Sequence, residues 1–291
     1  MFKDELKEYV ESSGLVNKKL AGDGIYVLKY KNKVFYDNLW NEYLEHCRGT
    51  IVDNNFELVS YPFPKIYNYG IEKSAPVLED STTVDAFRKV NGFMAAVTWH
   101  DGELLVSTTG TTDSDFVAMA RELIDYDRYR SVCENHQRYT FMFECVHERD
   151  PHIIPETPGM YLLGFRQKSW KSEVDTRNLE ILAKNFGCYT PEHYRITMKE
   201  LKEMTRNCRH EGFVFYADDD ISAKIKSPYY LTSKWVARNP RTDKIIDTKR
   251  DIKHNIDEEY HDLIDKIREN IVQYSEMNEQ ERLAWVREQL L

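Results

Sequence analysis

Residues 93–109 read FMAAVTW, then HDG, then ELLVSTT: two apolar runs joined through an Asp-Gly corner. Asp-Gly tolerates the positive φ angles of a tight hairpin turn, so this stretch is predicted to be an antiparallel hairpin and the seed of a sheet. Comparable runs recur from about residue 25 to 165, among them GIYVLKY, GTIVD, FELVSYPF and YTFMFECV, each short and bounded by turn residues. Helices are predicted around them. Residues 3–12 place Leu6, Tyr9 and Val10 on one face, one helix covers DSDFVAMARELIDYDRYR, and another covers TRNLEILAKNFG and ends at Gly187. Strands return in HEGFVFYAD and ISAKIKS, connected at DDD. After Pro240 the chain reads as helical, with Asn278 and Glu281 spaced as a capping box. The pattern predicts an α+β fold. Residues 1–240 form a body of mostly antiparallel sheets with flanking helices, and 241–291 form a small helical domain.

The chain has 291 residues, of which 41% are hydrophobic and 31% charged, enough for a substantial core. No apolar run is long enough to cross a membrane, and MFKDELKEYV has no signal-peptide character. Cysteines 47, 133, 145, 188 and 208 are odd in number and lack a C-x-x-C pair. Reduced thiols in a cytoplasmic protein without membrane partners are expected, with neither a zinc site nor a disulfide framework. The net charge of −9 argues against a broadly basic nucleic-acid surface. Local distribution differs: Lys29, Lys31 and Lys33 alternate and would share one face of a strand. Lys234–Lys253 carries seven basic and three acidic residues, and Asp257 onward ten acidic and four basic. A basic strip between acidic regions suits a phosphate-bearing ligand, and a solvated linker accounts for it equally well.

Charged residues at strand ends carry the chemistry. RKVNGFMAAV sets Lys89, two residues before a turn glycine, at the mouth of an apolar strand. About one Lys-x-x-Gly match is expected by chance, and Lys19–Gly22 is a second one, so the pattern alone decides nothing. Downstream, Glu144 sits in YTFMFECV on the face opposite Phe141, Phe143 and Cys145; Glu211 precedes Gly212; Lys224 and Lys226 share a side of their strand. Singly, each reads best as solvated. Together they fit nucleotidyl transfer to lysine: nearby cations favour a neutral amine and stabilise phosphoryl-transfer charge, and carboxylates suit a ribose hydroxyl and a metal ion.

KVNG, FECVHERDPHIIPE, EGFVFY and KIKSPYY, in that order, resemble the covalent nucleotidyltransferase superfamily of ligases and capping enzymes. The upstream CRGTIVD and PFPKIYNYGIE resemble, within it, the RNA ligase 1 family typified by the bacteriophage T4 enzyme. The resemblance spans residues 45–235 and selects Lys89 over Lys19. It implies an ATP-dependent RNA ligase acting through lysine–AMP and an adenylated RNA end, in RNA repair, with Mg²⁺ or Mn²⁺. By matching positions, Lys89 is the nucleophile, Glu211 orients it and serves the metal directly or through water, and Glu144 contacts the ribose. Lys224 and Lys226 hold the α-phosphate, Arg48 and Lys65 the outer phosphates, and Phe165 either stacks on adenine or is a core aromatic. The implied partners are single-stranded RNA ends, tRNA among them, and a separate end-healing enzyme; a monomer in the cytoplasm, such as that of a phage-infected bacterium, is expected. Two departures stand out: Asn91 where relatives often carry Asp, and TTGTTDSD after LLVS, which lacks a cation. HERD and His152 fit no zinc spacing. DNA ligases and mRNA capping enzymes are alternatives, disfavoured because only 65 residues follow Lys226 and they do not read as an OB-fold. A non-catalytic RNA-end or nucleotide-binding protein on the same fold is a third.

Overall fold

The hairpin at residues 93–107 forms as its sequence predicts. In a computed structural model that describes residues 2–70, 75–217, 222–238, 245, 252–255 and 261–290, His100 pairs with Glu103, and Asp101 and Gly102 take φ of 48° and 83°. Those are the left-handed conformations a two-residue turn of this hand requires. The chain divides into two compact units. One comprises Met1–Ile66, Gly92–Asp150 and Glu156–Glu192, the other Tyr67–Asn91, Pro151–Pro155 and His193–Leu291.

The first unit holds two antiparallel sheets. Strands β1 (Val16–Gly22), β2 (Ile25–Tyr30), β3 (Arg48–Asp53) and β4 (Leu58–Ser60) are joined in chain order. The second sheet runs β11 (Val174–Asp175), β10 (Gly159–Gln167), β9 (Tyr139–Val146), β7 (Phe93–His100), β8 (Glu103–Ser107). Helix α1 (Phe2–Ser12) buries Leu6 and Val10 in one core cluster, as its periodicity predicts. The short helices α2 (Asn32–Tyr36) and α3 (Glu42–Glu45) lie between β2 and β3. Strand β2 stops at Tyr30, so of the three alternating lysines only Lys29 lies on it; Lys31 caps α2 and Lys33 is within it.

The single helix expected over 113–130 is two, α4 (Asp115–Glu122) and α5 (Tyr126–Asn135). Asp125 ends the first register by capping the second: its carboxylate accepts from the Arg128 N–H at 3.3 Å. Helix α6 (Leu179–Phe186) closes at Gly187 with φ 71°, as predicted. Phe186 joins Tyr129, Phe141 and Phe143 in an aromatic cluster on one face of the second sheet.

The second unit is built on a sheet ordered β12 (His193–Thr197), β6 (Thr83–Arg88), β13 (Gly212–Tyr216), β14 (Ser222–Lys226), β5 (Tyr67–Asn68), antiparallel except for its last pair. Sequence periodicity missed β12 and β6. It also missed α7 (Met198–Asn207), although Thr197 and Glu200 form a full capping box at its start. Helix α8 (Pro228–Arg238) begins well before Pro240: the Ser227 hydroxyl accepts from the Tyr230 N–H at 3.0 Å, with Pro228 as first helical residue. Lys234 is therefore helical, not part of a linker. The DDD connection at 218–220 lies outside the described residues, as does most of 239–260. Helices His261–Glu269, Ile271–Glu276 and Glu279–Leu290 enclose their own cluster of Leu263, Ile264, Ile267, Tyr274 and Val286. Asn278 and Glu281 exchange backbone and side-chain hydrogen bonds at 2.7 and 3.0 Å, the expected capping box. No helix among the described residues is long and apolar enough to cross a membrane.

Candidate active site

Alternation along β6 sends Val84 and Ala86 to one side of the sheet and Asp85, Phe87 and, just past the strand, Lys89 to the other. The first side is core: Val84, Ala86, Phe213, Phe215 and Ala223 pack with Met198 and Leu201 of α7. On the other side register decides the neighbours. Val214 pairs with both Phe87 and Lys224, and Gly212 pairs with Lys226, so Lys224 and Lys226 project from the face that bears Lys89. The Lys89 N–H donates to the Gly212 carbonyl at 2.8 Å, which fixes the nucleophile candidate against the start of β13.

Gly212 is required there. Its φ is +124°, and a Cβ on it would lie 2.1 Å from the Ile225 carbonyl oxygen and 2.8 Å from the Lys226 Cα. This close approach delivers the preceding Glu211 between two lysines. Its Oε2 is 3.1 Å from Lys89 Nζ and its Oε1 3.1 Å from Lys226 Nζ, with the carboxylate only 3% exposed. Burial alone would raise the Glu211 pKa. The ammonium groups of Lys89 and Lys226 outweigh it and hold the carboxyl below the usual range.

Asn91 completes the arrangement and accounts for its departure from the related motif. Its amide N–H donates to Glu211 Oε2, while its Oδ1 accepts from the Ile154 N–H at 3.1 Å. An aspartate could not donate to Glu211 without carrying a proton. Sequence separation of 120 between Asn91 and Glu211 left this bridge invisible before folding.

In the first unit, Glu144 is 7% exposed on β9 and accepts from the Gly92 N–H at 3.1 Å. A Cβ on Gly92 would sit 2.3 Å from the Cys145 carbonyl oxygen, so glycine is needed for β7 to enter this close to β9. Phe165 does not join Glu144. It pairs with Phe141, which alternation places on the opposite face, and its ring meets Tyr139 and Phe141 at 5.6 and 6.0 Å. A bulge between Leu162 and Gly164 sets that parity, a feature that residue spacing cannot foretell. Its ring is partly buried there.

Arg48 opens β3 opposite Lys29 of β2. Gly49, at φ +95°, lets β3 pass Thr108 and Thr109, whose atoms would lie 2.9–3.0 Å from an added Cβ. Lys29 Nζ would be 2.8 Å from a Cβ on Gly110. The 108–112 segment carries no cation of its own, yet folding brings it Lys29, which Arg48 faces across the strand pair. Lys65 is held by its N–H to the Glu45 carbonyl at 3.0 Å, and its Nζ lies 4.9 Å from the centre of the Trp40 ring. Buried Arg166, overlooked in sequence, anchors the preceding segment: it stacks on Tyr61 at 3.5 Å and donates to the Pro62 carbonyl at 3.0 Å.

His147 of HERD uses both ring nitrogens. Nδ1 accepts from the Arg149 N–H at 3.1 Å, so Nε2 carries the proton and donates to Glu122, also at 3.1 Å. Among the described residues no group of three or more His, Cys, Asp or Glu side chains is arranged for a metal ion.

Solved structures resemble the chain over almost its whole length. Two forms of an archaeal ATP-dependent RNA ligase superpose with TM-scores of 0.58 and 0.56 at 16% and 17% identity, over 97% of this chain and 75% of theirs. A protein from Aquifex aeolicus assigned as an ATP-dependent DNA ligase gives 0.57 at 15% identity, over 97% and 76%. No protein-family model and no curated protein matches the chain. The chain shares its fold with these ATP-dependent ligases, an α+β arrangement of mostly antiparallel sheets with flanking helices.

Proposed function

We propose that this protein is an ATP-dependent RNA ligase resembling the RNA ligase 1 family, with Lys89 as the adenylated nucleophile. The observation that carries the reading is the buried Glu211 carboxylate held between Lys89 and Lys226. Lys89 Nζ, as the free amine, attacks the α-phosphorus of ATP; an N–P bond forms, the P–O bond to the β-phosphate breaks, the amine's proton passes to solvent, and pyrophosphate leaves. The AMP then passes to an RNA 5′-phosphate, and a 3′-hydroxyl displaces it to seal the strand. Lys224 and Lys226 offset the charge that spreads over the α-phosphate oxygens. A carboxylate whose pKa is depressed is a weak base, so Glu211 orients the amine rather than storing its proton. Glu211 would also hold Mg²⁺ or Mn²⁺, directly or through water, and the ion would supply charge neutralisation on the phosphates.

In the first unit, Glu144 serves the ribose, Arg48 and Lys65 the outer phosphates, and Lys29 the cation that segment 108–112 lacks. Phe165 supports β9 from behind. Residues 1–240 carry the chemistry and 241–291 form a helical appendage. A monomer in the cytoplasm, working on single-stranded or tRNA ends after a separate end-healing enzyme, is the setting we infer, a phage-infected bacterium included. The likeness to an assigned DNA ligase keeps DNA joining as the second reading.

Incubation with α-labelled ATP and a divalent ion, followed by a denaturing gel, tests the proposal. An acid-labile labelled band, absent with α-labelled GTP, is expected. A protein that mass spectrometry shows to be unmodified as purified, yet takes up no label, would overturn it.

A further inference from the structure

Helix α2 is a structural oddity. Of its five residues only Val34 is buried, anchored in the cluster with Leu44 and Cys47. At 100° per residue, an inward Val34 forces Phe35 and Tyr36 outward, and they are 55% and 78% exposed. Large aromatics left in water on a short helix cost hydrophobic free energy that folding could have recovered, so such a patch signals a binding surface. The rings lie 5.6 Å apart, edge to face. Lys65 Nζ lies 5.9 Å from the Phe35 ring centre and 4.9 Å from that of Trp40.

The surrounding charge selects the partner. From Lys29 to Trp40 the chain carries three lysines and one acidic residue, Asp37, within a protein of net charge −9. Lys31 and Lys33 are exposed on either side of the helix start. Exposed rings interleaved with lysines are the chemistry of single-strand recognition: every base offers a face to stack, and every linkage a phosphate to pair.

We propose that Phe35 and Tyr36, flanked by Lys31 and Lys33, form a stacking platform for single-stranded RNA on the first unit. The proposal rests on the ligase reading for the presence of RNA ends, and names a surface that holds the strand. Lys65, proposed above for the outer phosphates, touches the same patch through Phe35 and Trp40.

The test is fluorescence anisotropy of a labelled, 5′-phosphorylated single-stranded RNA 12-mer with the full chain, across a salt series. Phe35→Ala and Tyr36→Ala should each weaken binding at least about fivefold. Lys31→Ala/Lys33→Ala should flatten the slope of log K against log salt by about 1.4. Thermal melting should be unchanged in all of them, and self-adenylation unchanged in Tyr36→Ala and Lys31→Ala/Lys33→Ala, which separates this surface from the chemical site. RNA binding unaffected by these variants would overturn the proposal while leaving the ligase reading intact, and so would ring-dependent self-association seen by sedimentation without any ring-dependent RNA binding. Ring-dependent RNA binding in a protein that never self-adenylates would sustain the platform and sink the ligase.

Discussion

Replacing Glu211 by Gln removes the one negative charge at the centre of the Lys89–Glu211–Lys226 cluster. At an effective dielectric near 20, each 3.1 Å contact carries about 5 kcal/mol of Coulomb energy, most of it offset by the cost of burying the charges. Removing one partner of a buried ionic group typically costs about 3–5 kcal/mol, because the charges left behind lose their compensation. Lys89 and Lys226 retain 21% and 17% exposure and recover some hydration, so we expect a loss of about 2–4 kcal/mol at pH 7. The pH dependence gives a sharper signature. Glu211 titrates below its unfolded value, so its contribution is present above that value and disappears as pH falls through the folded pKa. The stability gap between wild type and Glu211→Gln, from urea unfolding at stepped pH, should therefore be widest near neutrality and close under acid conditions. Adding Lys226→Met to Glu211→Gln should return part of the loss, since one orphaned cation is removed. A gap that is absent at pH 7, or constant as pH falls, would refute the electrostatic account.

Lys89→Ala should abolish self-adenylation while circular dichroism stays native-like; retained label would remove Lys89 from the mechanism. Gly212→Ala should cost more than about 3 kcal/mol in urea, since the new Cβ collides with backbone and φ is +124°, and labelling should fall with it. A near-neutral effect would mean that β13 and β14 tolerate separation. Burial, reinforced by the nearby Arg166 and Lys171 cations, pushes the His46 pKa down to about 3. The neutral ring hydrogen-bonds Tyr61 at 2.8 Å, so stability is full above about pH 6.5 and declines below it, by about 2 kcal/mol at pH 5. His46→Gln should remove that slope in urea titrations at pH 7 and pH 5, and an unchanged slope would point to another group.

The sequence by itself determined the local and the ordered. Alternation set the strands and the faces of Glu144, Lys224 and Lys226, Asp-Gly set the hairpin turn, and Gly187 ended its helix, because each depends on interactions a few residues apart. The order of the motifs points to Lys89 over Lys19, a choice that self-adenylation tests. Tertiary structure decided which side chains meet. Asn91 reaches Glu211 across 120 residues, and Lys29 comes to Gly110 from another strand. One bulge turned Phe165 away from Glu144. Periodicity fixes a residue's face within its own strand, but register, bulges and the close approaches that glycine permits fix what that face sees. The same holds for Phe35 and Tyr36. Their exposure follows from which single residue of a five-residue helix the core could accept, a choice made by packing and not by pattern.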